Sequence, residues 1–230
     1  MRKMITVKIN GEERQYPQGA TYEDVANDYQ QEYENLIALA ARDGKIRELF
    51  KKLTRDCEVT FFTLKDDVGN KTYVRSATML FLKAVFDVYG REAAQSCRVE
   101  FAIGNGSYIS PKEKINATEE NAAKIRNRMR ELVEAKTPFL KRSYSLDNAM
   151  ELFRKEGMKD KEKLFRYRRG SFVNIYEMDG YYDYYYGYML PNAGYVKWFD
   201  VIAYEDGFML LLPDKKDPTP VSCTHLRAHE

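Results

Sequence analysis

The sequence predicts an α+β fold in two unequal parts, and three observations carry that expectation. The first 60 or so residues hold short β-patterned runs around one capped helical segment. A strongly apolar stretch at 71–89 then repeats at helical spacing. Beyond it, β-patterned runs meet at Asn-Gly and Asp-Gly turns, with amphipathic helical stretches between them.

In the first part, Ile5, Val7 and Ile9 alternate with Thr6, Lys8 and Asn10. Asn10-Gly11 supplies a hairpin turn and residues 13–16 return. Thr21 is placed to cap a helix reaching about Gln30, with Asp24 as its partner three residues on. Strands are expected at 36–41 and 46–49, joined by Asp43-Gly44, and at 57–62, where β-branched and aromatic residues concentrate. The order β-β-α-β-β-β is that of a small β-grasp module, assigned to residues 1–65.

Asp66, Asp67 and Gly69-Asn70 mark a boundary. Residues 71–89 read as one helix ended by Gly90. Val74, Ala77, Leu80, Phe81, Ala84, Val85 and Val88 give it a stripe that Met79, Leu82 and Phe86 widen, so it should be buried against a sheet. Residues 98–103 and 107–109 flank the turn Gly104-Asn105-Gly106. Thr118, or Asn116 with Glu119 completing a box, starts a helix reaching about Ala135. Its Lys124, Arg126, Arg128 and Arg130, mixed with Glu131 and Glu134, read as a solvated face. A strand is expected at 138–142, a helix from Ser145 to Gly157 and a short helix at 160–165. Strands at 172–177 and 181–186 pair around Met178-Asp179-Gly180, and strands at 196–204 and 208–212 around Glu205-Asp206-Gly207. The larger part, 66–213, is therefore expected to be an antiparallel sheet backed by helices, and 214–230 a linker with a non-native tail.

Composition narrows the function classes. With 44% hydrophobic and 31% charged residues the chain is globular rather than disordered. A net charge of +2, from 37 basic and 35 acidic residues, gives no global argument for nucleic acid, so any basic footprint must be local. Three scattered cysteines (Cys57, Cys97, Cys223) form no disulfide framework and suit a reducing cytoplasm. No apolar run approaches the roughly 20 residues a membrane span needs, and the N-terminus has no secretory pattern. A cytoplasmic protein without a membrane partner is expected.

Two stretches carry candidate chemistry. Six of the eight residues 181–188 are tyrosines. On a strand, Tyr182, Tyr184 and Tyr186 would share one face and Tyr181, Asp183 and Tyr185 the other. That stretch reads either as an aromatic sheet face under helices or as a stacking pocket for a base or another planar ligand. Arg166-Tyr167-Arg168-Arg169 is the densest basic patch and has an aromatic inside it. It suits an RNA backbone with a stacked base, or equally a helix C-terminus opposed by cations. The terminal Cys223-Thr224-His225 and His229 have zinc-ligand types. They lie in a stretch, 221–230, that resembles translated adapter sequence, and no metal is expected of them.

Residues 4–64 resemble a TGS domain, the β-grasp module that opens threonyl-tRNA synthetases. Residues 71–212 resemble the second additional domain of threonyl- and alanyl-tRNA synthetases, which hydrolyses mischarged tRNA. That family has a His-Ser-x-x-His pattern where this chain reads Arg75-Ser76-Ala77-Thr78-Met79. It has a Cys and a His four apart where this chain has Tyr185 and Met189, followed by the retained frame Pro191-Asn192-Ala193-Gly194-Tyr195-Val196-Lys197-Trp198-Phe199. All four polar positions of the editing centre are thus replaced, by Arg75, Met79, Tyr185 and Met189. The resemblance implies a scaffold without a water-activating residue or metal set.

The chain is also similar to the N-terminal half of bacterial TGS-containing uridine (nucleoside) kinases. Tyr73-Val74-Arg75-Ser76, Tyr184-Tyr185-Tyr186-Gly187, Leu190-Pro191, Gly194-Tyr195 and Leu212-Pro213-Asp214-Lys215-Lys216 carry that likeness. It implies a kinase domain in cis, C-terminal to this stretch, which would use ATP and Mg²⁺. These 230 residues contain no Gly-x4-Gly-Lys-Ser/Thr run and no cofactor is expected of them. The leading expectation is a non-catalytic ligand-binding or regulatory module of such a kinase. Arg75, Asp183, Tyr185 and Lys197 would be the polar groups around a small anionic or nucleotide-like ligand. The alternative is an RNA- or tRNA-binding module related to threonyl-tRNA synthetase, with its editing hydrolase activity lost and Arg166, Tyr167, Arg168 and Arg169 as contacts.

Overall fold

The computed structural model describes residues 3–167 and 170–216. The chain is a mixture of antiparallel sheets and helices in two compact units. The first comprises the described residues through Ser76 with Gly187–Pro191 and 214–216; the second comprises the described residues of 77–186 and 192–213.

In the first unit, β1 (Met4–Ile9) and β2 (Glu12–Pro17) form a hairpin. Its turn works because Asn10 (φ 51°) and Gly11 (φ 87°) both take left-handed backbone, which Asn and Gly adopt at low cost. Helix α1 (Tyr22–Tyr29) starts at Thr21. The Thr21 hydroxyl accepts from Asp24 N–H at 3.1 Å, and the Asp24 carboxylate accepts from Thr21 N–H at 2.7 Å, the reciprocal cap expected. Strands β3 (Ile37–Arg42), β4 (Lys45–Glu48) and β5 (Cys57–Thr63) complete a sheet of order β2-β1-β5-β3-β4, in which only β1 and β5 run parallel. Its inward residues Ile5, Val7, Leu39 and Val59, and Val25 of α1, are each 1% exposed or less.

Helix α2 (Asp67–Tyr89) begins four residues earlier than the sequence pattern predicts. Gly69 and Asn70, read as a boundary, belong to its first turns. A side chain at Gly69 would collide with the Thr63 carbonyl, so glycine here permits close approach rather than breaking the helix. Its buried stripe also hides a cation. Lys83, 2% exposed, donates to the Asp87 carboxylate and the Asp179 carbonyl, each at 2.7 Å.

The second unit holds two antiparallel sheets, not the single one expected. Helix α3 (Arg91–Ser96) precedes β6 (Arg98–Ile103) and β7 (Gly106–Ser110). Helix α4 (Glu119–Glu134) is capped by Thr118, whose hydroxyl accepts from Asn121 N–H at 3.2 Å. Strand β8 (Leu140–Ser145) runs into helix α5 (Leu146–Lys155), followed by helix α6 (Lys159–Arg166). Strands β9 (Phe172–Met178), β10 (Tyr181–Asp183), β11 (Asp200–Tyr204) and β12 (Gly207–Leu211) finish the unit. The sheets have orders β10-β9-β8 and β11-β12-β7-β6. Ala149 and Phe153 of α5 and Phe165 of α6 form one core with Val173 and Ile175 of β9.

Three strand expectations are corrected. The tyrosine-rich strand stops at Asp183, because its carboxylate accepts from Tyr184 N–H at 2.6 Å and removes that donor from the ladder. The strand expected at 138–142 starts at Leu140 instead, since Pro138 has no N–H to give a ladder. The strand expected at 196–204 begins only at Asp200. Before it, Asn192 accepts from Gly194 N–H at 3.0 Å and caps a tight 3-10 turn at Ala193–Tyr195.

Candidate functional site

The four positions where the family's editing residues would stand fall in both units, two in each. In the first unit, the Arg75 guanidinium donates to the Tyr188 carbonyl at 2.6 Å. A Cβ at Gly187 would lie 2.6 Å from the guanidinium carbon, so only glycine lets the chain pass so close. Met189 is fully buried, its Sδ 3.9 Å from the Ser76 hydroxyl. That hydroxyl donates to the Thr72 carbonyl and accepts from Leu190 N–H, both at 2.9 Å. Met189 N–H donates to the buried Glu48 carboxylate at 3.3 Å. These residues build a hydrogen-bonded stretch of chain in which serine and glutamate serve the backbone. Neither is free to activate water.

In the second unit, Met79 is fully buried in α2. The Tyr185 ring meets Tyr176 edge-on at 6.5 Å, and its hydroxyl is buried without a hydrogen-bond partner among the described residues. Burial, then the neighbouring Tyr181, push this phenol well above its ordinary range, so it stays protonated and supplies neither a base nor an anionic metal ligand. Asp183, 5% exposed, is satisfied on several sides. It contacts the Lys161 ammonium, accepts from Tyr184 N–H, and accepts from the Tyr181 hydroxyl at 3.2 Å. Lys197, expected beside it, follows the 3-10 turn with its side chain exposed. Among the described residues no group of three or more His, Cys, Asp or Glu side chains is placed to hold a metal.

Sequence reasoning missed what surrounds Asp183. Asp183, Tyr181, Lys161, Cys97 and Arg98 line a cleft of about 340 Å³. Burial, followed by the nearby Arg98 charge, lowers Lys161 to about 8, with the Asp160 carboxylate opposing. Burial alone raises the Cys97 thiol to about 12, which makes it a poor nucleophile at neutral pH. No local pattern flags Lys161; a separation of 22 residues from its partner hides the pair.

The basic patch divides. Arg166 ends α6 exposed, and Tyr167 beside it is 84% exposed. Arg168 and Arg169 lie outside the described residues. By contrast, most cations of α4 are occupied. Lys124 meets Glu120 at 2.7 Å, Arg126 meets Asp200 at 3.0 Å, and Arg128 meets Asp87 at 2.8 Å.

Fold and site together describe a two-unit α+β chain in which Arg75, Met79, Tyr185 and Met189 are buried or bound to the protein's own backbone. No family model matches it. Among curated proteins it is similar to threonine–tRNA ligases. The ligase of Thermotoga maritima is 29% identical over 205 residues, 86% of this chain and 30% of the ligase. That of Porphyromonas gingivalis is 25% identical over 194 residues, 82% of this chain and 29% of the ligase. That of Maricaulis maris is 27% identical over 193 residues, 83% and 30% respectively. The chain thus spans about 30% of the length of the relatives it matches. No helix among the described residues is long and apolar enough to cross a membrane.

Proposed function

We propose that this chain is an RNA-binding module related to the threonyl-tRNA synthetases, tRNA being the ligand class, in which editing hydrolysis has been lost. The observation that carries the reading is the likeness to threonine–tRNA ligases through 86% of the chain. On this reading residues 1–65 are a TGS-like domain and 66–213 an editing-like domain. Arg75, Met79, Tyr185 and Met189 fill the former centre, and Arg166, Tyr167, Arg168 and Arg169 contribute to the RNA contact. The polar residues Arg75, Asp183, Tyr185 and Lys197 belong to the same inherited scaffold, and the first three hold the protein's own groups.

Binding of unfractionated tRNA, measured across a salt series, tests the reading. Affinity should fall linearly on a log–log plot, because each phosphate contact releases condensed counterions. Undetectable binding at low salt would sink it. Mischarged tRNA incubated with the protein should keep its amino acid; release above background would show that hydrolysis survives.

A nucleoside-kinase parent, with ATP and Mg²⁺ acting in a C-terminal domain in cis, rests on the sequence likeness alone, and the ligase relatives lend it no support. A Gly-x4-Gly-Lys-Ser/Thr run in the coding sequence downstream of residue 217 would establish it.

A further inference from the structure

The first unit carries a concentration of positive charge that its own acids do not cancel. Residues 42–55 hold six basic side chains and two acidic ones, in a chain whose totals are 37 and 35. Folding gathers the cations at one end of the sheet. Lys45 lies opposite Arg42 across the β3–β4 turn, and Arg47, two residues on, shares their face. Arg42 donates to the Thr54 hydroxyl at 3.1 Å, which brings the loop after β4 alongside. In that loop the Lys51 carbonyl accepts from Tyr22 N–H at 3.0 Å, and Lys52 pairs with Thr21 in an isolated antiparallel bridge. Burial, then the Cys57 thiol, pushes the Tyr22 phenol up, while Arg42 and Arg47 oppose the rise, so both guanidinium groups lie near the start of α1.

Arg42, Lys45, Arg47, Lys51 and Lys52 make no ion pair among the described residues, and the three lysines are exposed. The neighbouring acids are already engaged. Asp43 meets Arg55 at 2.8 Å, Asp24 closes the α1 cap, and buried Glu48 accepts from Met189 N–H. Glu23, on the first turn of α1, has a partner of its own. Like charges held this close repel one another, and a polyanion laid across them relieves that repulsion.

The patch's other features select the kind of polyanion. Single-stranded nucleic acid gains much of its affinity by stacking bases on exposed rings. Among the described residues of the first unit no aromatic ring is exposed. An extended acidic peptide offers at most one charge per roughly 3.3 Å. A nucleic-acid duplex keeps its bases inside and presents about one phosphate per 1.7 Å of axis. We propose that this end of the first unit binds the sugar–phosphate backbone of double-helical RNA without reading its bases. Lys45, Lys51 and Lys52 meet phosphates as point charges, and Arg42 and Arg47 reinforce them from behind. The inference rests on the RNA-binding reading above and places the paired stems of the RNA on the first unit.

The test uses the full chain, a labelled RNA duplex of about a dozen base pairs, roughly one helical turn, and a salt series. Wild type should bind the duplex more tightly than either strand alone, and equally well when the duplex sequence is changed. Lys45→Ala, Lys51→Ala and Lys52→Ala together should weaken binding at least about tenfold at low salt and lower the log–log salt slope by roughly two to three, about 0.9 for each lost contact. The matching triple replacement by arginine should stay within about threefold of wild type, because charge is what the phosphates require. Thermal melting should show both triple variants folded. Wild-type affinity and slope in the alanine variant, tighter binding of the single strand, or equal competition by polyglutamate overturns the inference and leaves the tRNA reading standing. Failure of duplex, single strand and tRNA alike to bind at low salt overturns both.

Discussion

Helices α4 and α6 carry four basic residues each and use them differently. On α4, Lys124, Arg126 and Arg128 are each held by a carboxylate, and Arg126 also donates to the Val201 carbonyl at 3.0 Å. On α6, the inward side is secured by Phe165, which packs on Phe153 at 5.2 Å and edge-on to Tyr184 at 4.7 Å. Lys163 and Arg166 are exposed with no ion pair among the described residues, and Leu164 and Tyr167 are exposed between and after them. On α4 three of the four cations are held by carboxylates, whereas on α6 Lys161 is bound to Asp183 while Lys163 and Arg166 are exposed. Charge counted along a sequence therefore locates a nucleic-acid surface poorly; the presence or absence of a carboxylate partner decides.

That contrast can be broken at several points. Phe165→Ala should cost the most stability, roughly 3–5 kcal/mol, because a buried ring leaves a cavity under α6. Chemical denaturation measures it, and a loss below about 1 kcal/mol would mean that α6 is not anchored as described.

The next effect is alkaline. Burial, with a hydrogen bond to Asp206, raises Tyr108 to about 12, and burial raises Tyr181 and Tyr185 as well. A folded-state value above the unfolded one means stability is complete below about pH 10 and drains away as pH rises toward 12. A melting series across that range, followed by phenolate absorbance, should show the buried tyrosines ionising as the fold is lost. Their ionisation in a still-folded chain would contradict the burial.

Arg126→Ala should cost roughly 1–3 kcal/mol, since it removes the ion pair with Asp200 and a donor to the Val201 carbonyl, and should leave RNA affinity unchanged. The smallest stability effect belongs to Lys163→Ala with Arg166→Ala, within about 0.5 kcal/mol. The same pair should lower the salt slope of RNA binding by about two. If Arg126→Ala weakened RNA binding as much as this pair, the distinction between the two helices would collapse.

Short-range chemistry was legible from the chain. The caps at Thr21, Thr118 and Ser145 and the Asn10-Gly11 turn each depend on residues within a few positions of one another, and each forms. The element order of the first part was readable for the same reason. Gly69 was misread because its reason, the Thr63 carbonyl against its α-carbon, comes from the folded chain. The partners of the candidate residues Arg75 and Asp183 were not legible, since Arg75 reaches the Tyr188 carbonyl across 113 residues and Asp183 reaches Lys161 across 22. Tyr167, by contrast, was picked out in sequence as an aromatic among arginines, and it is exposed.

Alone, the sequence determined that this would be an α+β chain with capped helices and turn-linked strands. Those features follow from side-chain type, spacing and backbone preference over short distances. Tertiary structure decided that the second unit's strands divide into two sheets, which cations meet a carboxylate, and that Phe172 is exposed while Val173 and Ile175 beside it are buried. Alternation along a strand declares two faces, but only the packing of helices against one of them reveals which is left to water.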